Sequence, residues 1–240
     1  MRDVHRQRAA DCGGPSTHEQ HWFYSTDFKR SARRRWDTSI VADISCILAL
    51  PLRRDMLGAD PLGMVLGALA QAGLRSPGDP VRHDSEPLTR WHLGTVLDTD
   101  ANVVCNQRAD LWYVELMAPT SSVAAAAQAE LQALLPTMAL ISLCDTVDGG
   151  GAAPGHYLAL GLAARGGSEP AIAILARALE QDNAAMLPFA VEAAALSGDQ
   201  SLCAALQDVA HRHDAPEIVR AVALARTMLA CPPEDAGESR

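Results

Sequence analysis

Residues 154–167 read PGHYLALGLAARGG, and residues 185–198, which lie 31 positions later, read AMLPFAVEAAALSG. The positions that match at this shift carry apolar or small residues: Leu160, Val191 and Val222; Leu162, Ala193 and Leu224; Ala163, Ala194 and Ala225; Gly167 and Gly198; Leu175 and Leu206. Repeats of about 20 to 50 residues are typical of supersecondary units that stack on one another. We therefore predict a stack of helix pairs over residues 154–231.

Each predicted unit has two helices joined by a turn of small residues. These turns are residues 165–167 and residues 197–199. A single helix pair leaves an apolar stripe uncovered, so neighbouring pairs must pack together. Small residues at equivalent positions, such as Ala163 and Ala194, would let neighbouring helices approach closely.

The helix end at residues 193–199, AAALSGD, resembles the A-x-x-A-L-x-x-x-G-D turn of HEAT-like repeats of the short bacterial kind. The resemblance covers residues 154–230, about a third of the chain. It implies a fragment of an α-solenoid that binds partner proteins on one face. A protein partner is therefore expected.

Upstream of the stack, two helices are predicted before residue 73. Apolar residues of 40–48 recur at helical spacing, and Pro51 would end that helix. Asp60 and Pro61 suit the cap and the first position of a second helix. Its apolar stripe, which includes Val65, requires a core to cover it.

The hydrophobic period then falls to two, which indicates strands. Residues 75–89 are rich in Pro, Asp and Arg and predict a loop, whereas residues 91–97 alternate in the manner of a strand. Residues 98–102 predict a turn. Residues 103–105 and 111–117 would complete a small antiparallel meander, with helices predicted to follow.

These patterns predict a mainly α protein of α+β class, with a small helix and antiparallel meander domain followed by a short α-solenoid of HEAT-like helix pairs. The glycine run at 149–151 is the predicted boundary. The predicted segments are a disordered basic arm (1–37), a small α+β domain (38–148), a Gly-rich hinge (149–153), the helical-repeat domain (154–231) and a disordered tail (232–240).

Charge is distributed unevenly along the chain. Residues 1–39 hold eight basic and five acidic side chains, and the remainder holds twelve basic and twenty-four acidic ones. An acidic surface repels phosphate backbones, which argues against nucleic-acid binding. The single lysine, Lys29, argues against lysine-dependent catalysis. No cofactor is predicted.

The six cysteines lie 28 to 59 residues apart and form no C-x-x-C motif, which predicts reduced and mostly buried thiols. The chain has no apolar run of about eighteen residues, so no membrane span is expected. Arg33 to Arg35 and the apolar stretch 40–50 imitate a signal sequence, but no small-residue cleavage site follows. A cytoplasmic location is the expectation.

Two histidines near a predicted helix end are candidates for a metal site. His211 and His213 lie two positions apart, and side chains at that spacing on a helix point about 200° away from one another. They would chelate a metal only if the helix ended between them. The simpler interpretation is a polar helix terminus, so no metal is predicted.

His92, Cys105, Glu115 and His156 are the candidates for a catalytic site. The first three fall on the predicted meander and would form a nucleophile set if they converged. Strand alternation, however, places Glu115 on the face away from Trp112. His156, beside the glycine run, would line a crevice between the two parts of the chain.

Three functions follow from these observations. The leading hypothesis is a non-enzymatic scaffold or adaptor that binds a protein through its helical-repeat face. The helix, meander, helix order of residues 60–135 and the acidic charge also resemble class I type III secretion chaperones, which dimerise and hold an unfolded effector segment. The third is an enzyme with a site between the two parts, built from His92, Glu115, His156 or His213. The sequence leaves the oligomeric state open.

Overall fold

A computed structural model describes residues 46–75, 78–96, 98–165, 167–181 and 183–232. The strands are β1 (Cys46–Leu52), β2 (Val81–Ser85), β3 (Leu88–Val96), β4 (Thr99–Asn106) and β5 (Leu111–Ala118). The helices are α1 (Pro61–Gln71), α2 (Ser121–Leu134), α3 (Leu140–Asp148), α4 (Pro154–Ala164), α5 (Glu169–Glu180), α6 (Leu187–Ser197), α7 (Cys203–Arg212) and α8 (Pro216–Met228). The α+β class is confirmed. The predicted arm, 1–37, lies outside the described residues.

The five strands form one antiparallel sheet in the order β1-β5-β4-β3-β2. The predicted meander is confirmed as β3, β4 and β5. All eight residues of the central strand, Thr99–Asn106, are buried, because both faces of the sheet are covered there. The predicted cap of α1 is also confirmed, since the Asp60 carboxylate accepts a hydrogen bond from Gly63 N–H at 2.9 Å.

The helix predicted over residues 40–50 is wrong where the structure describes it, because residues 46–50 belong to β1. A short apolar run fits either a helix or a buried strand, and here neighbouring residues Ala49 and Leu50 enter different cores. Pro51 is tolerated because β1 is an edge strand. Its carbonyl accepts from Met138 N–H at 2.9 Å on the outer side, so no strand needs an N–H from it.

Two predicted irregular segments are also corrected. The loop predicted over 75–89 contains β2, an exposed edge strand in which every residue but Val81 is polar. The turn predicted over 98–102 is shorter, because Thr99 already begins β4. Asp98 has a φ of 59°, a conformation that Asp tolerates in tight turns. Asp100 is buried at 4 % exposure and accepts from Thr95 Oγ1.

Helices cover both faces of the sheet. On one face, α1 and α2 share a core with β1, β4 and β5, and this core includes Val65 of α1, Leu131 of α2 and Val114 of β5. On the other face, α4 lies along β1 and β5. Gly155 brings its N-terminal end to the backbone of Ala109, since a Cβ there would lie 2.7 Å from the Ala109 carbonyl oxygen.

The C-terminal helices form two layers. In the inner layer α4 packs on α6, which packs on α8; in the outer layer α3 packs on α5, which packs on α7. Helix α3 precedes the predicted hinge at 149–153, yet its buried residues share one core with α4 to α8 and with Leu111 and Tyr113 of the sheet. No helix within the described part of the chain has the length and apolar composition needed to cross a bilayer.

Two cysteines form a disulfide bond, so the prediction of reduced thiols is wrong for them. Cys203 begins α7 and Cys231 follows α8, and the bond joins them at a Cα–Cα distance of 5.6 Å. Because α7 and α8 pack together, residues 28 positions apart meet at one end of the pair. Among the described cysteines, Cys46, Cys105 and Cys144 are free thiols.

Peptide mapping under non-reducing conditions should recover Cys203 and Cys231 in a single cross-linked peptide that reductant separates. The geometry of a disulfide is specific, and the Cα separation lies within its normal range. Complete alkylation of both residues in native protein without reductant would contradict the bond. Cys144 is buried and unbonded, so its alkylation shows whether the reagent reaches buried thiols in the native protein.

Candidate functional site

A row of three polar side chains crosses the middle of the sheet on the face that α4 covers. His92 of β3 pairs with Asn102 of β4, which pairs with Glu115 of β5. The Asn102 Nδ2 donates to Glu115 Oε2 at 3.5 Å, so its Oδ1 is the atom 3.1 Å from His92 Nδ1. His92 therefore donates from Nδ1, and the three side chains form a continuous hydrogen-bonded chain.

Two arginines meet the Glu115 carboxylate. Glu115 is only 2 % exposed, Arg90 Nη2 lies 3.4 Å from its Oε2, and Arg165 Nη1 lies 3.8 Å from its Oε1. A buried carboxylate needs such partners because its desolvation is otherwise too costly. The two guanidiniums come from different layers, one from strand β3 and one from the end of α4.

Arg165 connects three elements at once. Besides facing Glu115 of β5, its Nε donates to the Leu196 carbonyl oxygen near the end of α6 at 2.7 Å. A second connection lies in the loop between β4 and β5, where Arg108 pairs with Glu192 of α6 and stacks over Phe189 at 4.7 Å from the ring centroid. The buried charges thus join the sheet to the inner helix layer.

These contacts hold the sheet against the inner helix layer. The carboxylate of Glu115 already engages two guanidiniums and an amide of the protein itself. Burial, followed by the nearby Glu115 charge, raises the pKa of Tyr113 above its ordinary value. The Tyr113 hydroxyl therefore stays protonated at neutral pH.

Cys105 does not join His92 and Glu115. It pairs with Trp112 across β4 and β5 and so lies on the opposite face of the sheet. Trp112 stacks there on Trp91, with ring centroids 5.5 Å apart. Burial raises the pKa of the Cys105 thiol and of the Cys144 thiol, which disfavours the reactive thiolate in both.

His156 serves the start of α4. Its Nδ1 accepts a hydrogen bond from Ala153 N–H at 3.1 Å, which satisfies a backbone donor at the helix end. Arg165, which faces Glu115, follows the other end of α4, nine residues and about 13 Å further along the helix axis. The structure therefore places His156 away from the pair formed by His92 and Glu115.

His211 and His213 lie at the end of α7, which packs on α5 and α8. The helix ends at Arg212, and His213 follows with extended backbone at φ −126° and ψ 126°. Arg212 between them donates to the Leu179 carbonyl oxygen of α5 at 2.7 Å. In the part of the chain that the structure describes, no group of three or more His, Cys, Asp or Glu side chains is arranged to hold a metal ion.

Of the residues in this cluster, the sequence pattern indicated His92 and Glu115 but not Arg90, Asn102 or Arg165. One signal was present, because Glu115 interrupts the apolar strand LWYVELMA. A carboxylate at the centre of a buried strand demands a positive partner. No local pattern identifies that partner, since Arg165 comes from a helix 50 positions later in the chain.

Comparison with protein-family models, with curated proteins and with solved structures finds no significant match to this chain.

Proposed function

We propose that this protein is a non-enzymatic adaptor whose helical stack, interpreted as HEAT-like repeats, binds a protein partner. The observation that carries the proposal is the outer layer of α3, α5 and α7, a continuous surface that no other described element covers. Helical stacks of this kind commonly bind partners along such extended surfaces. The charged cluster of Glu115, Arg90 and Arg165 lies between the sheet and the inner helix layer, where its side chains already pair with one another.

Five of the seven exposed Asp, Glu, Lys and Arg side chains of the outer layer are acidic. They are Asp145 and Asp148 on α3, Glu169 and Glu180 on α5, and Asp208 on α7. The two basic ones are Arg177, which already pairs with Asp148 at 2.7 Å, and Arg212, which donates to the Leu179 carbonyl oxygen. Ile141, which is 77 % exposed, adds an apolar contact at one end. These features suit a basic protein segment with an apolar anchor.

Affinity purification from the native host tests the proposal with a matched pair of variants. In Asp145→Arg/Asp208→Arg the outer layer loses two acidic side chains and gains two basic ones. In the control, Glu130→Arg changes an exposed carboxylate on α2, on the other side of the sheet. We expect wild type and control to retain one stoichiometric protein partner and the double variant to lose it.

The retained partner should also dissociate as salt rises, because exposed charges are screened beyond about 8 Å at physiological ionic strength. Recovery of the protein alone, or equal capture by all three forms, would overturn the outer-layer adaptor. Light scattering of each form separates loss of the partner from aggregation of the variant.

A second candidate is a chaperone that resembles class I type III secretion chaperones. It is favoured by the order of α1, the meander and α2, in which both helices lie on one face of the sheet. Such a protein would hold an unfolded effector segment and act as a dimer. A strictly monomeric protein in solution would remove this candidate and leave the adaptor unaffected.

A further inference from the structure

Strand β2 is the exposed edge of the sheet. It pairs only with β3 among the described strands, and all five of its residues are exposed. The opposite edge differs, because residues 136–138 hydrogen-bond to β1 at Pro51 and Arg53. An edge strand offers unpaired backbone groups to another strand unless its side chains prevent it.

The side chains of β2 do not prevent pairing with a second copy. The strand reads Val-Arg-His-Asp-Ser, in which Arg82 and Asp84 lie on one face and carry opposite charges. Their guanidinium Nε and carboxylate Oδ1 are 3.1 Å apart within the strand, and both side chains are more than half exposed. The charges cancel, so the edge repels neither a neutral strand nor a copy of itself.

We propose that β2 pairs antiparallel with β2 of a second copy of this chain, about a two-fold axis at His83. In that register Arg82 of each copy lies opposite Asp84 of the other, and Val81 lies opposite Ser85. Both cross-strand charge pairs are attractive, as directly opposed residues interact across an antiparallel ladder. The result is a continuous sheet of ten strands.

The same residues disfavour the neighbouring registers. A shift of the axis to Asp84 places the two Asp84 carboxylates opposite each other, and a shift to Arg82 opposes the two Arg82 guanidiniums. Like charges that lie directly opposite are destabilising. Pro80 and Pro87 flank the strand and limit its extension, because proline donates no backbone hydrogen bond.

Charge exchange at β2 tests this interface by light scattering and sedimentation of the full chain. Wild type should have twice the monomer mass of 25.5 kDa. Arg82→Asp alone, or Asp84→Arg alone, converts both attractive pairs to repulsive ones and should weaken the dimer about tenfold or more. The exchange Arg82→Asp/Asp84→Arg should restore wild-type affinity, and a mixture of the two single variants should form a heterodimer.

The matched control is Arg53→Asp, which reverses one charge of another exposed pair, Arg53 and Asp55, at 2.9 Å. It should dimerise as wild type does. A wild type that stays at 25.5 kDa at its highest soluble concentration would overturn the proposal. So would a dimer that both single variants form as tightly as wild type, since its interface would lie elsewhere.

Discussion

Gly161→Val is expected to lower the free energy of unfolding by about 3 kcal/mol or more, because α4 and α6 touch at their backbones there. A Cβ on Gly161 would overlap the Ala193 carbonyl oxygen and lie 2.7 Å from the Ala193 Cα. Neither atom belongs to a flexible side chain. Helix α4 cannot retreat easily, since its N-terminal end already lies against Ala109.

Gly67→Val is the matched control for this prediction. Gly67 lies inside α1, and a Cβ there would meet no atom within 4 Å. Its stability should stay within about 0.5 kcal/mol of wild type, since valine and glycine differ little in helix propensity. Equilibrium urea unfolding measures both variants. Equal effects at the two sites would contradict the close crossing of α4 and α6.

Glu115→Ala is expected to cost about 3 kcal/mol of stability. The substitution leaves Arg90 and Arg165 facing a vacated, largely buried site, and it removes the acceptor of Asn102. The full penalty for a buried pair is reduced because the two arginine side chains are 26 % and 20 % exposed. The loss is therefore smaller than that for a fully buried ion pair.

A double-mutant cycle with Arg165→Ala checks the cause. If Glu115 acts through Arg165, the double variant should be more stable than the sum of the two single losses predicts. Glu130→Ala on exposed α2 controls for removal of a carboxylate and should change stability by less than about 0.5 kcal/mol. Additive losses for Glu115 and Arg165 would show that they do not interact.

The sequence predicted those elements whose pattern is local. Asp60 and Pro61 predicted the start of α1, and the alternation that begins at Trp91 predicted β3. The 31-residue repeat itself stays a prediction. Prediction succeeded where one helix or strand determines its own pattern.

Prediction failed where partners are distant in the sequence. Residues 46–50 form a strand because β5, more than sixty residues later, lies beside them, and the apolar pattern alone also fits a helix. Asn102 looked like a turn residue until the structure supplied His92 and Glu115 as its partners. Polar residues in a central strand are tolerated only when tertiary neighbours satisfy them.

The sequence predicts a domain boundary at its glycine run, and packing contacts cross that run. Gly149 to Gly151 is a local signal of a break. Yet α3 before the run packs on α5 after it, and the Arg177 and Asp148 side chains connect them. Two separate domains would unfold independently of each other. The contacts across the glycine run instead favour a single cooperative unfolding of both sides.

Carbodiimide labelling of carboxylates tests most directly whether the outer layer of α3, α5 and α7 binds a protein partner. The complex captured from the native host is compared with the free protein by mass spectrometry of labelled peptides. We expect Asp145 and Asp208 to be protected in the complex, while Glu130 on α2 is labelled equally in the complex and in the free protein. Protection of Glu130 with unchanged labelling of Asp145 and Asp208 would contradict it.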